Sequence, residues 1–253
     1  MDKEKKHFLS VAERAARASG EYLRKEMSSD IRVIQQLDRD VKLEADYQSE
    51  SLIIKALKQE SAFSILTEER GIINAPNPVE NSDYEWIVDP LDGSLNFSRN
   101  IPLCCVSIAL WKDEKPCLGV VFDFNRNQVF SGIVNEGVWL NGKPVETSNA
   151  KVKAEAVLAT GFPVSTNFTE NALHNFVEDV MAYKKVRLLG SAALSLAYVA
   201  CGKVDIYKEN DIKIWDVAAG LALVKAAGGD ISYKGDLDSH VFDVSGASSI
   251  SLL

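Results

Sequence analysis

A short acidic segment, Asp89–Ser94 (sequence DPLDGS), follows an apolar stretch and has the residue types of a divalent-cation site. Pro90 fixes one backbone dihedral and stiffens the turn, so the carbonyl of Leu91 can point in the same direction as the two Asp carboxylates. Carboxylate and carbonyl oxygens are the ligands that Mg²⁺ prefers. Gly93 allows the backbone to approach a ligand closely, and a helical turn beginning at Ser94 would direct free N–H groups at an anion. The segment therefore predicts a Mg²⁺ site beside a phosphate site. Its structural alternative is an Asp-Gly turn followed by a helix N-cap.

Two further acidic positions strengthen the cation-site interpretation. Glu68 and Glu69 follow the apolar stretch Phe63–Thr67, and Asp216 opens an Ala-rich helix. Taken alone, the glutamates are typical of a solvated loop and the aspartate of a helix N-cap. Carboxylates brought together from these places would repel one another strongly, so a shared cluster needs bound cations. We therefore predict that Glu68 and Asp216 converge on the Asp89–Ser94 segment.

Hydrophobic periodicity predicts the elements that position these residues. Apolar positions at helical spacing indicate one amphipathic helix over residues 3–27 and a second from about Asp46 to Gln59. The polar stretch Ser28–Asp40 is interpreted as a mobile loop, and residues 71–84 as another loop. Short strands that end next to the acidic positions are predicted at Phe63–Thr67 and Glu85–Val88.

The pattern changes after these elements. Between Cys104 and Val145, apolar runs separated by turn residues predict an antiparallel meander, with a hairpin turn at Asn141-Gly142. After Ala150, strands alternate with helices, which indicates an α/β half. The strands are predicted at Ala156–Ala159, Val186–Leu189 and Val204–Tyr207, and the helices at Glu170–Tyr183, Ser191–Cys201 and Trp215–Ala227. We therefore predict an α/β (α+β) fold class. Residues 1–150 form an N-terminal half with most of the metal ligands, and residues 151–253 form a C-terminal half that completes the site.

Composition and charge limit the classes of function. The chain has 253 residues, of which 46% are apolar and 25% charged, as is ordinary for a soluble globular enzyme. Its 28 Lys and Arg against 36 Asp and Glu give a formal net charge of −8, which argues against nucleic-acid and membrane partners. The four cysteines form no CxxC pair, and Cys104 and Cys105 lie in an apolar run, so buried free thiols and a cytoplasmic location are predicted. We find neither a signal peptide nor a membrane-spanning stretch in the sequence.

Four motifs together resemble those of the inositol monophosphatase family, a branch of the lithium-sensitive, Mg²⁺-dependent phosphatase superfamily. In chain order they are Thr67-Glu68-Glu69, Asp89–Phe97, Gly190-Ser191-Ala192-Ala193 and Trp215–Gly220. Their order matches the family, and the resemblance covers nearly the whole chain. It implies a layered α/β/α/β/α sandwich of the inositol monophosphatase and fructose-1,6-bisphosphatase type, assembled as a homodimer.

The resemblance also implies roles for individual residues around two to three Mg²⁺ ions. Glu68, Asp89 and the Leu91 carbonyl would hold the first ion, Asp89, Asp92 and Asp216 would hold the second, and a weaker third would lie near Glu68. The substrate phosphate would contact Asp92 and the backbone of Gly93 and Ser94, and the hydroxyl-bearing part of the substrate would contact Ala192 and Glu209. Asp46 matches an acidic residue that pairs with the hydroxyl of Ser94. The chain departs from the family at Ser94, Leu43 and Gln35, where Thr, Thr and Lys are more common.

The function implied is that of a Mg²⁺-dependent phosphomonoesterase acting on inositol monophosphate, with related sugar phosphates as further substrates. The mechanistic hypothesis is that Glu68 and Ser94, with Asp46 behind the hydroxyl, activate a metal-bound water for direct attack on phosphorus. Within the superfamily, fructose-1,6-bisphosphatase and 3′-phosphoadenosine 5′-phosphate phosphatase are the alternatives. A non-catalytic interaction protein on the same fold is the alternative from a different class.

Overall fold

The computed structural model of the protein describes residues 2–28, 32–36, 41–75, 84–162, 169–236 and 238–253. Within these ranges the α-helices are α1 (Asp2–Glu26), α2 (Glu44–Glu60), α3 (Ser94–Ser98), α4 (Glu170–Met181), α5 (Ala192–Ala200) and α6 (Ile214–Ala226). The strands of the first half are β1 (Val33–Gln36), β2 (Val41–Leu43), β3 (Ser64–Thr67), β4 (Gly71–Ile73), β5 (Tyr84–Asp92), β6 (Cys105–Lys112), β7 (Lys115–Asp123), β8 (Gln128–Ile133), β9 (Gly137–Leu140) and β10 (Lys143–Val145). Those of the second half are β11 (Val157–Thr160), β12 (Lys185–Leu188), β13 (Ile206–Lys213), β14 (Asp230–Asp236) and β15 (Val241–Ala247).

These strands form a β1-β2 hairpin and two larger sheets. The eight-stranded sheet has the order β10-β9-β8-β7-β6-β5-β3-β4, and the five-stranded sheet has the order β12-β11-β13-β15-β14. Apolar side chains of α1 and α2 cover one face of the eight-stranded sheet, and α5 and α6 fill the space between its other face and the five-stranded sheet. On the outer face of the five-stranded sheet, Val180 of α4 packs against a small cluster around Leu158 and Ile206. This succession of layers confirms the predicted α/β fold class and α/β/α/β/α sandwich.

The strongly patterned elements of the first half are confirmed. Helix α1 buries Phe8, Val11, Ala15 and Leu23, which recur at the spacing that keeps side chains on one face of a helix. Strands β5 to β10 pair antiparallel in sequence order, as the predicted meander requires. Asn141 and Gly142 join β9 to β10 with φ values of 50° and 76°, the positive values that tight two-residue hairpins need.

Two stretches predicted as loops contain strands. Within Ser28–Asp40, β1 pairs antiparallel with β2, and within residues 71–84, β4 pairs antiparallel with β3 and β5 begins at its last residue. Strands β1 and β4 have four and three residues, which is too short for hydrophobic periodicity to indicate a strand. Parts of these two predictions, at residues 29–31, 37–40 and 76–83, lie outside the described residues.

The second half contains the predicted alternation of strands and helices, and it ends with two strands that lie beyond the predicted elements. Strand β11 pairs parallel with both β12 and β13, whereas β15 pairs antiparallel with β13 and β14 pairs antiparallel with β15. In β14, Ile231 and Tyr233 alternate with polar residues and pack at the edge of the core. This alternation is the sequence signal that indicates β14.

The two halves of the chain meet where α6 crosses the middle of the eight-stranded sheet. A Cβ atom added at Gly119 of β7 would lie 2.3 Å from the Ala219 carbonyl oxygen of α6, so only glycine permits this close approach. Nearby, the indole N–H of Trp111 donates to the Ala218 carbonyl at 3.2 Å. These contacts fix α6, and with it the start of that helix, against the sheet that carries Asp89.

Two further sequence predictions concern the cysteines and membrane-spanning helices. All four cysteines are free, and Cys104 and Cys105 are buried as predicted. In the parts of the chain that the structure describes, no helix combines the length and the apolar character needed to cross a membrane.

Candidate functional site

The segment Asp89–Asp92 is the last part of β5, not a turn that follows the strand. Asp89 pairs with Ser107 of β6 and Asp92 pairs with Cys105, so three steps along β5 oppose two steps along β6. This irregularity is a β-bulge, which inserts one extra residue into a strand. The predicted turn was therefore wrong in its geometry, because the strand continues through the acidic residues. Proline has no backbone N–H, and Pro90 is tolerated here because the residue at a bulge does not have to donate a hydrogen bond to the neighbouring strand.

The bulge has a direct effect on the two carboxylates. In a regular strand, side chains three residues apart point to opposite faces of the sheet. Here Ile87 faces the layer of α5 and α6, whereas Val88 and Leu91 both face the layer of α1 and α2. The alternation is therefore reset between Asp89 and Asp92, and both carboxylates face the α5 and α6 layer.

Asp89 is buried among other acidic groups. Its side chain is 2% exposed, and its Oδ1 accepts a 2.9 Å hydrogen bond from the Leu91 N–H. Burial raises the pKa of Asp89 well above its usual value, and the negative charges of Glu68, Asp92 and Asp216 raise it further. The structure thus brings the four predicted carboxylates into one electrostatic cluster, with Glu68 directly after β3 and Asp216 in the first turn of α6.

Asp92 is tied to the start of α5. Its Oδ2 accepts hydrogen bonds from the Ser191 hydroxyl at 2.5 Å and from the Ala193 N–H at 2.7 Å, and the Cys105 thiol is 3.6 Å away. Burial raises the pKa of Asp92 to about 6, although these hydrogen bonds oppose the shift. Ser191 was given no role by sequence reasoning. A serine directly before an Ala-rich helix is an N-cap signal, and its hydroxyl indeed accepts from the Leu194 N–H.

Gly93 and Ser94 connect the bulge to the short helix α3. Gly93 has φ +91°, and a Cβ atom there would lie 2.8 Å from the Leu103 carbonyl oxygen, so both backbone conformation and space require glycine. The Ser94 hydroxyl lies 2.9 Å from the Leu91 carbonyl oxygen and 3.3 Å from Oδ1 of Asp46. It has one hydrogen and therefore donates to only one of these acceptors at a time.

Asp46 lies behind Ser94 and is held from the other side. Its side chain is 3% exposed, and its Oδ2 accepts a 2.7 Å hydrogen bond from the Leu43 N–H. This bond is half of a capping box at the start of α2, and it uses the backbone of Leu43, so a leucine side chain at that position leaves it intact. Asp46 is therefore oriented towards Ser94 by the helix that it caps.

Glu209 and Ala192, the predicted substrate contacts, both lie close to Asp92. Glu209 is 8% exposed, and its Oε2 accepts a 2.7 Å hydrogen bond from the Tyr207 hydroxyl. Burial raises the pKa of Glu209 to about 7, against the effect of the Tyr207 hydrogen bond and with a further rise from the charge of Asp92. Ala192 begins α5, next to Ser191.

These residues line one cavity of about 630 Å³, which is in the usual range for a small-molecule site. Every predicted site residue except Asp46 contributes to its wall: Glu68, Asp89, Leu91, Asp92, Gly93, Ser94, Ala192, Glu209 and Asp216. Lys42 also lines it, and no sequence signal pointed to that lysine. A smaller cavity of about 320 Å³ between α4 and β13 shares five lining residues with it: Thr160, Gly161, Phe162, Glu209 and Asp211.

The donor atoms around Asp89 fit a hard divalent cation. They are carboxylate oxygens whose mutual repulsion a cation would remove. In the described part of the chain, however, no three His, Cys, Asp or Glu side chains are arranged to ligate one ion as they stand. The hydrogen bonds explain the difference, because Asp89 is drawn to the Leu91 N–H and Asp92 to Ser191. Small rotations of these two side chains would free their oxygens to face a shared cation.

The raised pKa of Glu209 predicts how stability depends on pH in the absence of divalent cations. In the folded protein Glu209 keeps its proton up to about pH 7, whereas the ordinary pKa of a glutamate side chain is 4.5. The unfolded chain therefore binds fewer protons in this window, and the free energy of unfolding falls as the pH rises from about 4.5 to 7, by roughly 3 kcal/mol for this group. Asp92 and Asp89 shift in the same direction and add to the fall.

Urea unfolding in EDTA at pH 5 and pH 8 measures this dependence, with Glu209→Gln as the matched variant. Because Gln does not titrate and can still accept from Tyr207, we expect the variant to lose less stability between the two pH values than the unmodified protein. Equal losses in the two proteins would contradict the prediction.

Comparisons with known proteins find relatives that match nearly the whole chain. A model of the inositol monophosphatase family matches residues 4–240. The chain is 36% identical over 253 residues to a protein of Xylella fastidiosa named Nus factor SuhB, covering 98% of this chain and 90% of that protein. It is 34% identical over 246 residues to inositol monophosphatase 3 of Solanum lycopersicum, covering 95% of this chain and 87% of that protein. Among solved structures, the extragenic suppressor protein suhB of Bartonella henselae superimposes with a TM-score of 0.83 at 30% identity, over 97% of this chain and 95% of that chain.

Proposed function

The chain belongs to the inositol monophosphatase family, and from this premise we propose that it is a Mg²⁺-dependent phosphatase that hydrolyses inositol monophosphate. The observation that carries the proposal is the buried Asp89 carboxylate, which shares one cavity with Glu68, Asp92 and Asp216. A protein gains nothing in stability from burying like charges together. Such a cluster is therefore best explained by cations that bind to it.

In this proposal, Glu68, Asp89 and the Leu91 carbonyl would hold one Mg²⁺ ion, and Asp89, Asp92 and Asp216 would hold a second, with a weaker third near Glu68. When bound, Mg²⁺ supplies positive charge that lowers the pKa of water and stabilises the phosphate and the leaving oxygen. The backbone N–H groups of Gly93 and Ser94 and the side chain of Asp92 border the phosphate.

The protein's own groups orient and deprotonate the attacking water. Glu68 and the Ser94 hydroxyl accept its hydrogens, and Ser94 passes its own hydrogen to Oδ1 of Asp46, 3.3 Å away. The capping bond from Leu43 fixes Asp46 for this task. The competing acceptor of the Ser94 hydrogen is the Leu91 carbonyl, which becomes a poorer acceptor when it ligates a cation. Water then attacks phosphorus directly, with no covalent phosphoenzyme. The bond between phosphorus and the polyol oxygen breaks as the new bond forms, and the polyol oxygen takes up a proton from solvent.

The polyol part of the substrate is proposed to bind between Ala192 and Glu209. A carboxylate beside a small side chain leaves room for a ring and accepts hydrogen bonds from its hydroxyls. The Tyr207 hydroxyl fixes one oxygen of Glu209, so the other oxygen is available to the substrate. This arrangement favours a small phosphorylated polyol or sugar.

A substrate panel tests the proposal. We expect phosphate release from inositol 1-phosphate with Mg²⁺, loss of this release in EDTA, and inhibition by lithium. Fructose 1,6-bisphosphate and 3′-phosphoadenosine 5′-phosphate serve as the competing substrates, and a higher kcat/KM for either would reassign the substrate within the superfamily. No Mg²⁺-dependent release from any of them would overturn the enzyme assignment.

A second candidate function comes from the names of relatives. Several of them are called Nus factor SuhB, so a role as an interaction protein, with or without catalysis, is the alternative. The net charge of −8 favours a protein partner over nucleic acid. The substrate panel separates the two, because an interaction protein without catalysis releases no phosphate.

We extend the proposal to a cytoplasmic homodimer. Free thiols suit a reducing compartment. Large apolar side chains are exposed in the second half, at Val177 and Met181 of α4 and at Leu188 of the edge strand β12, and exposed apolar surface of this kind is typical of contact surfaces. Light scattering of the purified protein should give twice the mass of one chain.

A further inference from the structure

Lys42 is a cation in the wall of the acidic cavity that the proposed mechanism does not use. It lies on β2 between the buried residues Val41 and Leu43. Its ammonium is 2.7 Å from Oε2 of Glu69. The Glu69 side chain is 3% exposed and that of Lys42 is 29% exposed, so the ion pair is anchored in the protein and remains accessible from the cavity.

The carboxylate that pairs with this ammonium has a second polar partner. The hydroxyl of Tyr47, in the first turns of α2, also hydrogen-bonds the Glu69 carboxylate. Burial lowers the pKa of Lys42, but the hydrogen bond to Glu69 and the negative charges around it, including that of Glu68, outweigh burial and raise it. Lys42 therefore stays charged, within electrostatic reach of a predicted Mg²⁺ ligand.

The other lysine in the described cavity wall has different partners. The ammonium of Lys213 donates to the Ser239 carbonyl at 2.8 Å and lies 5.5 Å from the centre of the Trp215 ring. No ion pair of Lys213 is found among the described residues. Lys42 is thus the lysine whose charge is coupled to the glutamates that follow β3.

We propose that the Lys42 ammonium is a fixed counter-charge beside Glu68 that weakens the binding of the weakest Mg²⁺ ion there. This inference rests on the proposed function, because it concerns the Mg²⁺ of the same site. An ammonium repels a nearby dication and also neutralises part of the negative charge that attracts it. Lys42 acts through Glu69 and Glu68, so it is a positioning residue and does not contact the reacting atoms. The consequence is a site that reaches full activity with fewer bound ions.

Calorimetric titration of Mg²⁺ into the metal-free, full-length protein tests this without measuring turnover. In Lys42→Met, we expect the weakest ion to bind roughly tenfold more tightly, or one additional ion to appear, because one positive charge is lost beside a dication site. Lys42→Arg keeps the charge and should titrate as the unmodified protein does.

Two controls separate charge from structure. The double variant Lys42→Met/Glu69→Gln removes both charges of the pair, so its net local charge is unchanged and its Mg²⁺ titration should return close to the original. Lys143→Met lowers the net charge of the protein by the same amount, but it lies on β10 at the opposite edge of the eight-stranded sheet from β3. Its Mg²⁺ binding should not change.

Three results would overturn the inference. Lys42→Met and the unmodified protein could bind the same number of ions with the same affinities, or the double variant could bind as tightly as Lys42→Met. Alternatively, Lys42→Met could raise the KM for the phosphorylated substrate at saturating Mg²⁺ without any change in ion binding. That result would show that the ammonium contacts the substrate. If the unmodified protein binds no Mg²⁺, the proposed function fails together with this inference, whereas unchanged binding in Lys42→Met overturns the inference alone.

Discussion

Asp89→Asn is expected to lower Mg²⁺-dependent phosphate release by about a thousandfold or more, while the metal-free protein stays folded and is no less stable. The loss follows because Asp89 is the one carboxylate proposed to ligate both principal ions, and charge stabilisation is a large part of phosphoryl transfer. Stability is retained because the change removes a buried charge that three other carboxylates oppose. Asn keeps an Oδ1 atom that can accept the Leu91 N–H.

Steady-state kinetics and thermal unfolding measure the two effects separately. In EDTA, the variant should unfold at the same temperature as the unmodified protein or higher. Added Mg²⁺ should raise the unfolding temperature of the unmodified protein, since a ligand of the folded state stabilises it, and this rise should be absent or much smaller in Asp89→Asn. Turnover close to normal would contradict the metal assignment.

Asp123→Asn provides a matched control at another buried aspartate. Asp123 is 0% exposed and accepts two hydrogen bonds from Arg126, one from its backbone N–H and one from its guanidinium. It does not line the cavity of about 630 Å³. This variant should therefore lose about 1–3 kcal/mol of stability and keep its turnover per folded molecule, the reverse of Asp89→Asn.

Ser94→Ala is the second variant with a large expected effect. It should lose about a hundredfold or more in turnover, the usual contribution of a group that helps to move a proton, yet retain phosphate binding through the backbone. Ser94→Thr restores a hydroxyl and should recover most of the rate. Ser98 on the same short helix is half-buried, and its hydroxyl donates to the Leu95 carbonyl at 2.8 Å. Ser98→Ala should therefore have nearly the turnover of the unmodified protein.

Rapid-quench experiments with labelled substrate distinguish the direct attack of water from a covalent route. We expect no labelled protein after acid quench of the unmodified enzyme. A phosphoserine trapped at Ser94 would replace the water mechanism with a nucleophilic one. Full turnover of Ser94→Ala would show that the hydroxyl neither helps to activate water nor acts as a nucleophile.

The acidic residues were predictable from sequence because their types and their positions after apolar strands carry the signal. Their common orientation was not predictable. Asp89 and Asp92 face the same side only because β5 contains a bulge, and the bulge depends on how β5 pairs with Ser107 and Cys105 of β6. Strand pairing is a tertiary property, and side-chain alternation alone would have separated the two carboxylates.

The same limit applies to the groups that support the site. The Ser191 hydroxyl and the Ala193 N–H donate hydrogen bonds to Asp92, which lies about a hundred residues earlier in the sequence. The spacing of residue types does not predict such a long-range contact. Lys42 is similar, because alternation places it on the face opposite Val41 and Leu43 without showing that Glu69 lies there. Long, strongly periodic elements such as α1 and the meander were predicted well, since their signal is local.

The bonds from Asp92 to α5 also bear on the order in which the protein is made. Ser191 and Ala193 follow Asp92 by 99 and 101 residues, and a ribosome that adds about 5–20 residues per second needs roughly 5–20 seconds to supply them. During that interval the Asp92 carboxylate belongs to a nascent chain and can remain hydrated, at little electrostatic cost. The cost arises only when α5 emerges and covers it, so the burial of this charge is a late event in the synthesis of the protein.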